Sequence, residues 1–139
     1  MASKAALRAG AGMITLFHPA GLETIFETQL LEVMTYTIPK LPLAGGDKED
    51  FFNKLNSMDV LLIGPGIGTS DGMVELLKQI MEYWNKPLIL DADALNIIAD
   101  NINILKDISG KQVILTPHIG EFARLCDVTA IDIQNDPLQ

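Results

Sequence analysis

A glycine-rich run at residues 64–68 (GPGIG) is the first of three motifs whose residue types suit binding or catalysis. Glycines let the backbone approach a ligand closely, and a helix that begins just beyond them offers free amide groups to an anion. The run has neither the spacing of the G-x-G-x-x-G dinucleotide fingerprint nor the Gly-Lys-Ser/Thr of a phosphate-binding loop. This motif alone is therefore equally compatible with two interpretations. Gly66 and Gly68 contact a ligand, or the run is a tight turn that binds nothing.

The second motif, residues 91–96 (DADALN), is acidic. Its carboxylate and amide oxygens could bind Mg²⁺ through water, accept hydrogen bonds from sugar hydroxyls, or cap a following helix. Asp91 and Asp93 are two positions apart, so in a continuing strand they would point to opposite faces and would not share a proton. We expect at least one of the two acids to contact a ligand, and one of them to cap the following helix.

The third motif, residues 116–121 (TPHIGE), contains one of only two histidines. His118 lies near a proline and a glycine, where burial in a core is not expected. It could donate to a phosphate or a carbonyl, or transfer a proton near neutral pH. The alternative is a solvated loop histidine. Glu121 is a residue type that favours the first turn of a helix.

Two other reactive side chains are assigned structural roles. His18, beside Pro19, has no acidic or glycine-rich neighbours in the sequence. Cys126 shares a predicted helix face with Phe122 and Leu125, which favours a buried small hydrophobe over a nucleophile. As the single cysteine, it cannot form a disulfide or a Cys-based zinc site within one chain, and it fits a reducing compartment.

Each of the three motifs directly follows a short apolar run that predicts a buried strand: residues 59–63, 88–90 and 112–115. Single amphipathic helices separate these strands, and such crossover helices connect parallel neighbours. In an open parallel sheet the carboxyl ends of the strands share one edge, where ligands bind. The sequence therefore predicts that the three motifs converge in space.

The remaining periodicity predicts an earlier β-then-α step, with a strand at residues 13–17 and an edge strand or loop at residues 34–41. The predicted helices cover residues 3–9, 22–33, 48–56 and 122–126. A further helix is expected after the glycine-rich run. It is capped by Thr69, Ser70 or Asp71 and shares one apolar face among Met73, Leu77, Ile80 and Trp84.

The bulk composition limits the classes of function. With 139 residues and 48% hydrophobic side chains, the chain can form one compact core. Its net charge of -8 and the lack of a basic block argue against nucleic acid as a partner. No apolar run approaches membrane-spanning length and the first residues do not form a signal peptide, so we expect a cytoplasmic protein without a membrane partner.

Taken together, these motifs resemble those of the ADP- or ATP-dependent NAD(P)HX dehydratases of the ribokinase-like superfamily. The segments that carry the resemblance are residues 4–15 (KAALRAGAGMIT), 60–68 (VLLIGPGIG), 87–96 (PLILDADALN) and 114–125 (ILTPHIGEFARL). Ile119 stands where that family usually has proline. The resemblance implies an α/β, partial ribokinase-like fold with a mostly parallel sheet flanked by helices, in which residues 1–139 are a fragment of a single domain.

The resemblance also implies a reaction. ADP or ATP, with Mg²⁺, would phosphorylate the hydroxyl of the (S)-hydrate, and loss of phosphate would regenerate NADH or NADPH. It implies that the hydrate pocket is lined by Gly66, Gly68, His118, Gly120 and Glu121. Supporting contacts to the substrate or to water around Mg²⁺ are expected from Asp91, Asp93 and Asn96. A homo-oligomer is expected as well.

The family's first strand, its lysine-bearing nucleotide strand and its Gly-Thr-Gly-Asp motif, whose aspartate is the base, have no counterpart in these residues. We therefore assign no catalytic residue and no metal ligand, and expect little or no turnover from the chain alone. Residues 136–139 should lie in the next helix or loop. Two alternatives remain: a ribokinase-like kinase for a sugar or vitamin alcohol, and a non-catalytic fragment that only binds substrate.

Overall fold

The computed structural model describes residues 1–108 and 110–135, so the expectation for residues 136–139 lies outside the described residues. The chain divides into two compact units, residues 1–53 and residues 54–139. Both contain parallel strands flanked by helices, which confirms the predicted α/β class. The assignment of all 139 residues to a single domain stays a prediction.

The first unit contains α1 (Ala2–Arg8), β1 (Thr15–Pro19), α2 (Glu23–Gln29), β2 (Met34–Ile38) and most of α3 (Gly45–Asn56). β1 and β2 pair in parallel, with Phe17 opposite Tyr36. The ring of Phe17 lies 5.1 Å from that of Tyr36 and 5.9 Å from that of Phe51. An aromatic cluster therefore fixes α3 against this two-stranded sheet.

Several boundaries in the first unit differ from those predicted. The strand expected at residues 13–17 is β1 at Thr15–Pro19, and the helix expected at residues 48–56 begins at Gly45. The segment at residues 34–41, expected as an edge strand or a loop, forms β2 and ends before Pro39. The helix predicted at residues 22–33 ends at Gln29, because Leu30 leaves helical geometry. Val33 then turns inward and is buried, and the amide of Met34 bonds to the carbonyl of Ile14. The apolar periodicity continues through a turn that leads into β2, which pairs with β1.

His18 is buried at the end of β1, as its structural assignment implies. Its Nδ1 lies 2.9 Å from the carbonyl oxygen of Pro19, and its ring packs against Phe26.

The fold also brings Glu23 near His18. Hydrogen bonds from the backbone of Glu23 itself, from Thr37 and from Gly21 hold the pKa of the Glu23 carboxyl below its usual value.

The second unit is built on three strands, β3 (Leu61–Ile63), β4 (Leu88–Leu90) and β5 (Val113–Leu115). They pair in parallel in the order β3-β4-β5, which confirms the predicted pairing. The helices of this unit are α4 (Asp71–Tyr83), α5 (Asp93–Asp100), a 3-10 helix (Ile102–Ile108), α6 (Ile119–Cys126) and α7 (Ala130–Asn135). The 3-10 helix and α7 were not predicted.

The core of the second unit is formed by buried side chains of α4, α5 and the strands. Among the most deeply buried side chains are Leu77, Met81, Trp84, Leu88, Leu90, Leu95, Ile97 and Ile98. The predicted α4 face is largely confirmed, since Leu77, Ile80 and Trp84 are buried and Met73 is half-buried. Ser70 occupies the N-cap position of α4, but its side chain makes no capping hydrogen bond.

Leu77→Ala should lower the free energy of unfolding by about 2–5 kcal/mol, because it removes a side chain that is only 1% exposed and leaves a cavity in the core. The matched control is Lys78→Ala, which changes the adjacent exposed position of α4 and should stay within about 0.5 kcal/mol. Urea denaturation measures both values. Equal effects at the two positions would show that α4 does not bury this face.

Candidate functional site

The three motifs lie at one edge of the second unit's sheet, as the sequence predicts. The strand register aligns Ile63, Leu90 and Leu115, which end β3, β4 and β5. The chain therefore leaves three adjacent parallel strands at the same edge. We call residues 64–68, 91–96 and 116–121 together the carboxyl rim.

The first two motifs of the rim meet backbone to backbone. Gly64 has a φ of 135°, and a Cβ added there would lie 1.6 Å from the carbonyl oxygen of Asp91. The amide of Asp91 donates to the carbonyl of Ile63 at 3.0 Å and extends the pairing of β3 with β4 by one residue. Only glycine fits at position 64, so the identity of this residue is explained by packing.

Asp93 makes a second contact to the glycine loop. The amide of Gly68 donates to Asp93 Oδ2 at 2.9 Å. Gly68 has a φ of 73°, and a Cβ there would meet nothing within 4 Å. Glycine is therefore favoured at position 68 by the backbone angle and not by a lack of space for a side chain. One carboxylate oxygen of Asp93 is thus held by the loop.

The expectation that Asp91 or Asp93 caps α5 is wrong. The N-cap residue is Ala92, and no side chain makes a capping hydrogen bond. Ala92 has φ 49° and ψ -121°, and the amide of Ala94 donates to the carbonyl of Asp91 at 3.2 Å. The chain therefore leaves β4 through a β-turn with alanine at a position that favours glycine, a strain of about 1–3 kcal/mol. The turn directs Asp93 away from the cap and toward the loop.

His118 and Glu121 form a reciprocal cap at the start of α6. The amides of Gly120 and Glu121 donate to His118 Nδ1 at 3.0 and 3.4 Å, and the amide of His118 donates to Glu121 Oε2 at 3.0 Å. The predicted place of Glu121 in the first helical turn is confirmed. A Cβ at Gly120 would lie 3.0 Å from His118 Cε1, so glycine leaves room for the ring.

This cap fixes the hydrogen-bonding state of the imidazole. Because two backbone amides donate to Nδ1, the proton of the neutral ring resides on Nε2. Nε2 lies 3.2 Å from Glu121 Oε1 and can donate to it. The His118 side chain is 67% exposed and that of Glu121 only 8%. The ring therefore contacts the buried carboxylate of Glu121 while most of its surface is exposed to solvent. This confirms that His118 is not a core residue.

A contact that the sequence did not indicate joins α5 to α6. Arg124 Nη1 donates to Asn96 Oδ1. Both residues lie in segments that follow adjacent parallel strands, and this convergence is the only sequence signal that pairs them. The amide oxygen of Asn96 is therefore bonded to protein.

The prediction that Cys126 is buried is wrong, because its side chain is exposed. In α6, Glu121 and Ala123 are buried, whereas Phe122 and Ile119 are exposed. Cys126 lies one helical turn after Phe122 and shares its face, as predicted, but this face is exposed to solvent.

Comparison with known proteins identifies the family. A family model described as NAD(P)H-hydrate dehydratase matches residues 1–139. The chain belongs to this family. The resemblance drawn from the four sequence segments is thereby confirmed.

Members of the NAD(P)H-hydrate dehydratase family with curated names are similar to this chain in sequence. A bifunctional NAD(P)H-hydrate repair enzyme of Moorella thermoacetica is 39% identical, and the match covers 100% of this chain and 27% of that protein. An ATP-dependent (S)-NAD(P)H-hydrate dehydratase of Dictyostelium discoideum is 32% identical over 87% of this chain and 39% of that protein. An ADP-dependent enzyme of Neisseria meningitidis is 36% identical over 72% and 36%. The chain therefore spans well under half the length of these relatives.

A solved structure supports the fold of this family member. A ribokinase-like superfamily protein from Enterococcus faecalis matches with a TM-score of 0.71 at 21% identity. The match covers 93% of this chain and 43% of that protein. The predicted ribokinase-like fold is confirmed, and at this identity the likeness is one of fold alone.

Within residues 1–108 and 110–135 of this family member, no three His, Cys, Asp or Glu side chains are grouped so as to hold a metal ion. In the same part of the chain, no helix is both long and apolar enough to cross a membrane.

Gly64→Ala should lower the free energy of unfolding by about 3 kcal/mol or more, because the new methyl group would overlap the carbonyl of Asp91 at a backbone angle that alanine disfavours. Gly66→Ala in the same loop is the matched control. Its Cβ meets open space, so only backbone strain of about 1–2 kcal/mol remains. Thermal unfolding compares the two variants, and a smaller effect at position 64 than at position 66 would contradict the packing.

Ala92→Gly should raise the free energy of unfolding by about 1 kcal/mol, because relief of strain at a φ of 49° exceeds the added entropy of the unfolded glycine. Ala94→Gly, two residues further and inside α5, has no strain to relieve and should destabilise the protein by about 1 kcal/mol. Both are read from the unfolding midpoint in guanidinium chloride. Destabilisation by both glycines would show that the turn at Ala92 is not strained.

Proposed function

We propose that this chain forms the substrate side of an ADP- or ATP-dependent dehydratase that converts (S)-NAD(P)HX to NAD(P)H. The family match and the ATP- and ADP-dependent names of the relatives support this activity. The observation that carries the proposal is the convergence of the three family motifs in one rim. There, Gly64 packs on Asp91 and Gly68 is bonded to Asp93.

The proposed reaction needs a better leaving group than hydroxide. Transfer of the terminal phosphoryl group of the nucleotide to the hydroxyl of the hydrate makes the oxygen leave as phosphate. Loss of a proton from the neighbouring carbon then restores the double bond of the dihydronicotinamide ring. Such a sequence depends on positioning and on stabilisation of developing negative charge. The rim residues supply the first of these.

We divide the rim residues into those that face the hydrate and those that support them. The proposed hydrate-lining residues are Gly66, Gly68, Asp91, His118 and Gly120. The proposed supporting residues are Asp93, Asn96 and Glu121. Each supporting residue already accepts a hydrogen bond from protein: from the Gly68 amide, from Arg124, and from the His118 amide. The rim is therefore preorganised, which is what precise binding requires.

His118 is the rim side chain best placed to recognise a polar group of the hydrate. Its Nε2 proton points to Glu121, and its ring is exposed. A carbonyl or hydroxyl oxygen of the ligand can accept the hydrogen bond from Nε2 in place of Glu121 Oε1. Nδ1 is held by two amides, so proton abstraction by this nitrogen would first require opening of the cap.

The nucleotide, Mg²⁺ and assembly are further parts of the proposal. Nucleotide phosphoryl groups are commonly transferred with Mg²⁺ bound. The described residues do not include a three-ligand acidic or histidine set, so we assign them no step through the metal. We also propose a cytoplasmic homo-oligomer, since an exposed free cysteine suits a reducing compartment and β5 has one edge that no strand of the described residues pairs with.

The test measures binding and turnover separately. Calorimetry of this chain with (S)-NADHX should show binding, and His118→Ala should weaken it about tenfold or more through loss of a ligand hydrogen bond. Lys78→Ala, exposed on α4, is the control and should bind normally. The whole reading frame that encodes this sequence should restore NADH absorbance from (S)-NADHX with ADP or ATP.

Two results would contradict the proposal. Phosphorylation of a sugar or vitamin alcohol without action on the hydrate would assign the protein to the ribokinase-like kinases. If the whole protein turns over the hydrate equally well with and without His118→Ala, the rim is not part of the substrate site.

A further inference from the structure

We propose that Asp93 is a positioning residue, which holds the glycine loop (residues 64–68) through the Gly68 amide and does not itself contact the hydrate or a cation. The consequence for ligand binding rests on the proposed function. The mechanical role of Asp93 does not. This role differs from the one expected from the DADALN motif, in which the Asp93 carboxylate contacts the substrate or water around Mg²⁺.

The glycine loop has little of its own to hold it in place. Gly66 and Gly68 both have positive φ, and a Cβ at either would meet nothing within 4 Å. The hydrogen bond inside the loop, from the Ile67 amide to the Gly64 carbonyl, is long at 3.3 Å. The bond from the Gly68 amide to Asp93 Oδ2, at 2.9 Å, is shorter and has a charged acceptor, which makes it the stronger of the two.

The two ends of the loop are held by the same turn. At the first end, Gly64 lies against the carbonyl of Asp91. At the last, Gly68 is bonded to the side chain of Asp93. Ala92 lies between these two contacts with φ 49° and ψ -121°. A strained residue persists only where its surroundings fix it, and here both neighbours of Ala92 contact the loop.

The geometry also explains why an acid is present where no helix cap is made. Asp93 is the first residue of α5 and is half-buried, yet its side chain makes no capping hydrogen bond to its own helix. Its contact lies across the rim, 25 residues earlier in the chain. Asparagine has an acceptor oxygen at the same place and could replace the aspartate in this role, whereas it lacks the negative charge with which a carboxylate binds a cation most strongly.

The Gly68 amide itself gives the test, and it needs no ligand. In the wild-type protein, nitrogen-15 NMR should show this amide protected from hydrogen exchange. Asp93→Ala should accelerate its exchange about tenfold or more, whereas Asp93→Asn should retain most of the protection. Asp100→Ala, at the far exposed end of α5, is the charge-matched control and should leave Gly68 unchanged. Fluorescence of the buried Trp84 confirms folding of each variant.

Hydrate binding then separates positioning from direct contact. Asp93→Asn should bind (S)-NADHX within about threefold of wild type, and Asp93→Ala about tenfold more weakly. Unchanged Gly68 exchange in Asp93→Ala would overturn the inference. So would a loss of binding in Asp93→Asn while Gly68 stays protected, since the charge would then act on the ligand. The asparagine variant decides the matter even where the alanine variant does not fold.

Failure of the proposed function gives a different pattern. If wild-type protein binds no hydrate while Gly68 exchange responds to Asp93 as expected, the positioning role is supported and the assigned substrate is wrong. If the hydrate binds and Gly68 does not respond, the substrate is supported and the positioning role is wrong.

Discussion

The close packing of Gly64 against the main-chain carbonyl of Asp91 is the constraint on which the rim depends. It joins the exits of two adjacent parallel strands with no side chain between them. Once these two segments are in contact, the carboxylate of Asp93 is within hydrogen-bonding distance of the Gly68 amide. A larger residue at position 64 would separate the loop from the turn, and the bond at the other end of the loop would be lost with it.

The helices that begin at the rim satisfy their first amides in different ways, and this decides which groups a ligand can reach. α6 uses its own side chains, because His118 and Glu121 cap each other's backbone. α5 begins at a strained Ala92 without a side-chain cap, so Asp93 is free to hold the loop. The polar oxygens that resemble ligand contacts are thus largely engaged by protein donors. Gly66, Gly68 and the imidazole of His118 are among the rim groups that are exposed to solvent.

Much of this arrangement could be predicted from sequence because it follows from chain direction alone. Parallel strands joined by helices all end at the same edge of the sheet, so the motifs that follow them must lie close together. This convergence could be predicted from the sequence. The role of Asp93 could not be predicted, since it depends on a backbone angle at Ala92 that alanine rarely adopts. The exposure of Cys126 could not be predicted either, because the apolar pattern places it on one face with Phe122 but does not show whether that face is covered, and Phe122 is itself exposed.

We propose that the carboxyl rim receives the hydrated cofactor. Amide chemical-shift mapping during titration with (S)-NADHX tests this most directly. We expect the largest shifts at Gly66, His118 and Gly120, with little change at Ser57 or Val128, which lie outside the rim motifs. Saturable shifts centred away from residues 64–68, 91–96 and 116–121 would contradict it.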